Sequence, residues 1–117
     1  MPLKIKRIYD PAEPSDGRRI LVDRLWPRGI AKDKARIDEW LKELAPSDQL
    51  RKLFHHKPER WEEFEKRYRD ELQSPEKQEQ IKQLQALAKK RTVTLLFAAR
   101  DTEHNNAVAL ANFIKRK

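Results

Sequence analysis

Arginine grips a phosphate or carboxylate well because its planar fork offers parallel N–H donors. Two arginines stand four residues apart in Asp23-Arg24-Leu25-Trp26-Pro27-Arg28-Gly29. The segment follows Ile20, Leu21 and Val22, an apolar run that reads as a buried strand and ends abruptly in charge. A buried charge deprived of its partner costs roughly 3–5 kcal/mol, so Asp23 and Arg24 at such a place imply partners or a ligand. A second polar stretch, Ala99-Arg100-Asp101-Thr102-Glu103-His104-Asn105-Asn106, follows another apolar run and precedes a helical pattern. If the two runs are parallel strands, both stretches share a rim. There Arg24 and Arg28 clamp an anion, Asn105 orients it and first-turn amides add donors, with Asp23 orienting Arg24. The plainer alternative is a scaffold in which Asp23, Arg24 and Asp101 satisfy one another and the loop backbone.

Proton transfer has fewer candidates. The tandem His55-His56 stands near a helix end, and a free imidazole titrates near pH 6.5 (about), so His55 is the general-base candidate beside Asp23. Ser47, in Pro-Ser-Asp ahead of an apolar helix, reads as a helix cap; no Gly-x-Ser-x-Gly elbow surrounds it. With no cysteine and three histidines, no metal site is expected. No glycine-rich phosphate loop is present, and no cofactor is implied.

At 117 residues the chain is read as a single domain spanning 1–117. The lack of cysteine excludes a disulfide framework and a thiol nucleophile. No apolar run approaches membrane-spanning length and the first residues do not resemble a secretory signal, so a cytoplasmic protein is expected. The net charge is +8, and residues 17–36 alone contribute +5 of it. Residues 57–91 instead mix ten basic with eight acidic side chains, the pattern of solvated helix faces. The basic segment therefore admits a competing reading as a nucleic-acid or acidic-protein contact, although no recognisable nucleic-acid module accompanies it. The monomer–dimer question stays open.

The elements that must position these residues follow from periodicity. Residues 3–9 alternate as an edge strand, residues 10–17 form a loop, and residues 19–26 form a second strand covered on both faces. Ile37, Trp40, Leu41 and Leu44 have the spacing of a helix ending before Pro46. Leu50, Leu53 and Phe54 mark a second helix, while Trp61, Phe64, Tyr68 and Leu72 mark a third opened by Pro58. Ile81, Leu84, Leu87 and Ala88 mark a fourth. Residues 92–98 read as a central strand, and Ala107, Leu110, Ala111 and Ile114 as the inner face of a last helix. The long helical crossover implies parallel pairing: an α/β fold with a small, mostly parallel three-stranded sheet and helices packed on it.

Several of these residues together resemble a known family. Lys6-Arg7-Ile8-Tyr9-Asp10, the run from Arg19 to Gly29, Trp40, Ala45-Pro46-Ser47, Leu50-Arg51 and Phe54-His55 carry the likeness. Thr94-Leu95-Leu96, followed by Asn105 and Ala107, completes it. The chain resembles the YeaO-like family of small uncharacterised bacterial and archaeal proteins, a domain of unknown function, over nearly its whole length. The Val-Asp-Arg-Leu-Trp-Pro-Arg-Gly string is highly specific. Longer relatives of the superfamily look like an elaborated version with Cys-His-Arg at the start of the last helix, which fits parallel strands. Short members usually read Asn-His-Ala where this chain has Asn105-Asn106-Ala107, so the resemblance carries Asn105 and Ala107 over but no acid–base role to position 106. His104 is adjacent, but would leave the helix start at a different angle. The resemblance implies functional positions at Asp23, Arg24, Trp26, Arg28, Arg51, His55 and Asn105, with Lys32 and Asp101 behind them. The expectation is a strand-end cleft that binds an anionic, phosphorylated small molecule through Arg24, Trp26, Arg28, Arg51 and Asn105, with His55 and Asp23 serving any turnover.

Overall fold

A computed structural model describes residues 3–54 and 57–116. Val93–Phe97 forms the central strand, buried at all five positions, as an uninterrupted Val-Thr-Leu-Leu-Phe run requires. In chain order the strands are β1 (Leu3–Arg7), β2 (Arg18–Leu21), β3 (Glu39–Trp40) and β4 (Val93–Phe97), arranged β1-β4-β2-β3 with every pairing parallel. The sheet is thus four-stranded, not three-stranded. The strand that the periodicity missed is β3.

Side chains alternate across the sheet with period two. Val93, Leu95, Phe97, Ile20 and Val22 enter the larger core, which also receives the inner faces of α2 (Asp48–Phe54), α3 (Trp61–Glu71), α4 (Pro75–Lys90) and α5 (Asn106–Arg116). Leu21 and Leu96 point the other way, into a smaller cluster with Ile8, Ala35 of the single-turn α1 (Lys32–Ala35), Trp26 and Trp40. This two-sided burial explains why residues 37–44 are not the expected helix. Ile37 and Trp40 pack on the smaller cluster, whereas Leu41 packs against the larger one and Leu44 lies within it. A helical stripe presents one face and cannot serve both sides of a sheet. A short strand followed by a 3-10 turn at Lys42–Leu44 can, and it is fixed to β2 by Asp38 N donating to Arg19 O (2.7 Å) and Leu41 N to Leu21 O (2.9 Å).

The loop between β1 and β2 is tied to the sheet's amino end. Asp16 is buried, accepting from Arg19 Nη1 at 2.5 Å and Lys6 Nζ at 3.1 Å, while Thr94 Oγ1 donates to the Asp16 carbonyl at 2.7 Å. Burial pushes the Asp16 carboxyl up, but hydrogen bonds from Glu13 N, Lys6 and Arg19 outweigh it and hold the group below its usual range. Gly17 follows at φ +65°, where an added Cβ would lie 2.2 Å from Thr92 O, so no larger residue fits. Among the described residues, no helix is long and apolar enough to cross a membrane.

Candidate functional site

At the carboxyl ends of β2 and β4 the ladder opens. Val22 N still donates to Leu96 O at 3.1 Å, and in a regular parallel ladder the next bond would run from Ala98 N to Val22 O. Instead Ala98 N donates to Asp23 Oδ2 (2.9 Å), and Val22 O accepts from Asn106 Nδ2 (2.8 Å). The same amide nitrogen reaches Asp23 Oδ1 at 3.0 Å. Two side chains thus replace one backbone bond, the strands part, and a cleft of about 550 Å³ occupies the gap. This is the position at which parallel sheets bind ligands. Burial pushes the Asp23 carboxyl above its usual range; Asn106, Ala98 N and the nearby Arg51 charge offset that only in part.

The cleft's charge is mostly positive. Arg24, Arg28, Arg51 and Lys52 line it against the single carboxylate of Asp23. Arg24 is not paired with Asp23. Its Nε donates to Pro46 O (3.1 Å) and one Nη to Ala45 O (3.2 Å), so two carbonyls aim the guanidinium without neutralising it. Among the described residues Arg24 and Arg28 make no ion pair, and Arg28 is exposed. Arg51 pairs with exposed Asp48 at 3.4 Å, a contact that screens it little.

Other residues of the rim are placed by packing. Trp26 donates its indole N–H to Ile30 O (2.7 Å) and meets Trp40 edge-on at 5.4 Å, while Trp40 donates to Asp23 O (2.6 Å), so the Trp-Pro turn is a packed wall. Asn105 is buried as the cap of α5: Oδ1 accepts from Val108 N and Nδ2 donates to Asp101 O, both at 2.9 Å. Asp101 accepts from Glu103 N and His104 N and faces His104 Nδ1 at 3.1 Å; those backbone donors, with the histidine, hold its carboxyl below the usual range. His104 lines the cleft with its ring edge-on to Trp61.

Of the residues singled out in the sequence, Asp23, Arg24, Trp26, Arg28, Arg51 and Asn105 all line this one cleft. Lys32 stands over the Trp26 ring at 5.9 Å, outside the lining, and Asp101 reaches the cleft through His104 and Asn105. His55 lies outside the described residues. Ser47 is a cap, its Oγ accepting from Leu50 N (3.2 Å) and donating to Glu71 Oε2 (2.5 Å). Sequence reasoning missed Asn106 as the partner of Asp23. The available signal was its place in the first turn of a helix that starts beyond a strand's carboxyl end.

Comparison with known proteins agrees with the fold-wide likeness. Residues 2–117 match a family model described as the inactive DUF488-N3 subclade. The chain is 48% identical to the Escherichia coli K12 protein named uncharacterized protein YeaO, over 115 residues that make up 98% of each chain. It is 39% identical over 112 residues to the Mycobacterium tuberculosis uncharacterized protein Rv3073c, covering 96% of this chain and 92% of that one. No solved structure matches significantly.

Proposed function

Since the chain belongs to the inactive DUF488-N3 subclade, a YeaO-like family, we propose that its strand-end cleft binds a small phosphorylated anion without turning it over. The observation that carries this reading is Arg24, whose guanidinium is aimed by two backbone carbonyls and left with its charge uncompensated in a cleft that Arg28, Arg51 and Lys52 also line. Such a group has lost much of its rotamer entropy before a ligand arrives, which favours binding. The wiring of Asp23 supports the reading without turnover. Both oxygens of Asp23 are occupied, and the side chain facing it is the amide of Asn106, which is neither an acid nor a base near neutral pH. A second reading, in which the basic segment contacts nucleic acid, is favoured by the exposure of Arg28, Lys32, Lys34 and Arg36.

Calorimetric titration with pyrophosphate, on the wild type and on Arg24→Gln, separates the readings. Saturable binding weakened about tenfold in the variant, or about 1.4 kcal/mol, is the expected result. The glutamine amide nitrogen falls at the place of Arg24 Nε and can keep the bond to Pro46 O, so the fold should persist. Equal affinity in the folded variant contradicts the proposal. Binding of a DNA duplex only, lost steeply with salt, supports the second reading.

A further inference from the structure

The cleft is far larger than one phosphate, and its volume lies in the range of sites that enclose drug-sized ligands. What else it would hold is indicated by Tyr9. Tyr9 and Leu25 are the exposed large hydrophobics among the described residues, and both line the cleft. Tyr9 is 44% exposed, yet its ring is firmly placed. Its hydroxyl donates to Arg28 O at 2.9 Å, and the Arg7 guanidinium lies over the ring, 5.0 Å from its centroid. Arg7 is itself anchored, Nε to Ala99 O (2.9 Å) and Nη2 to Ala98 O (3.3 Å). An exposed aromatic ring held at its tip and backed by a fixed cation is a surface on which a second planar group can stack without further ordering. The residue that holds its tip, Arg28, also carries one of the cleft's free cations.

We propose that the ligand is an aromatic phosphate, a planar ring bearing a phosphoryl group, with the ring on Tyr9 and the phosphate among Arg24, Arg28 and Arg51. The class includes aryl phosphates and nucleoside monophosphates. This rests on the anion-binding reading and adds the ring.

The test titrates phenyl phosphate and inorganic phosphate into the wild type, Tyr9→Leu and Tyr9→Phe, following amide shifts. Phenyl phosphate should bind the wild type about tenfold more tightly than inorganic phosphate, the size of one stacking contact. That advantage, taken against each variant's own affinity for inorganic phosphate, should vanish in Tyr9→Leu and survive within a few-fold in Tyr9→Phe. Equal wild-type affinities for both probes at the cleft overturn the ring proposal while leaving anion binding intact. An advantage that persists in Tyr9→Leu also overturns it. Binding of neither probe refutes the anion reading and the ring proposal with it.

Discussion

Replacing Asn106 by alanine removes one nitrogen that serves two acceptors, Val22 O at 2.8 Å and Asp23 Oδ1 at 3.0 Å. A neutral hydrogen bond is worth about 0.5–1.5 kcal/mol and one to a charged group about 1.5–3 kcal/mol. Water admitted through the cleft will replace part of both, which places the expected loss near the lower end, about 2 kcal/mol at pH 8. The loss should depend on pH. Asp23 already has a folded-state pKa above its ordinary value, and Asn106 is one of the groups restraining the rise, so the variant's carboxyl moves higher still. A carboxyl that holds its proton more tightly folded than unfolded contributes stability at low pH that is lost as pH rises through its folded pKa. The deficit of the variant relative to the wild type should therefore shrink as pH falls, because protonating Asp23 removes the charge left short of a donor. Urea unfolding at pH 8 and at pH 4.5 reads this directly: with a slope of about 1–2 kcal/mol/M, the midpoint should fall by about 1–2 M at pH 8 and by less at pH 4.5. A loss below about 0.5 kcal/mol, or one equal at both pH values, refutes the reasoning that the Asp23–Asn106 pair holds the strand ends apart.

Two further outcomes test the scaffold. Gly17→Ala forces a methyl group against Thr92 O in a left-handed backbone, and should destabilise by about 3 kcal/mol or more, a fall in Tm of roughly 10 °C or more by circular dichroism. Ser47→Ala removes the α2 cap and the partner of Glu71; a stability loss of about 1–2 kcal/mol with unchanged pyrophosphate affinity is expected, whereas lost affinity would give Ser47 a role in the cleft.

The parts of the fold legible in the sequence are those in which one segment serves one core. The continuous β4 run, the stripes of α3 to α5 and the Ser47 cap are of this kind, and parallel pairing followed from the long crossover. Residues 37–44 were misread because a spacing of three and four is ambiguous when its members divide between two faces of a sheet, and the deciding bonds, from Asp38 N and Leu41 N to β2, are long-range. The rim was legible because unbalanced charge at the ends of apolar runs is conspicuous. Its wiring was not. Asp23 and Arg24 are neighbours in sequence and looked like partners, yet alternation sends Asp23 to Asn106 and Arg24 to the Ala45–Pro46 carbonyls. Arg24 and Arg28 beyond an apolar run are a sequence-level signal; a guanidinium aimed by carbonyls is visible only in three dimensions.

The most direct measurement is an amide chemical-shift titration of the intact chain with pyrophosphate at moderate salt. Saturable shifts confined to residues 23–28, 51–52 and 98–106 are expected if the opened strand ends form an anion site. Shifts absent there, or spread over residues 28–36 and the helix surfaces without saturation, would contradict it.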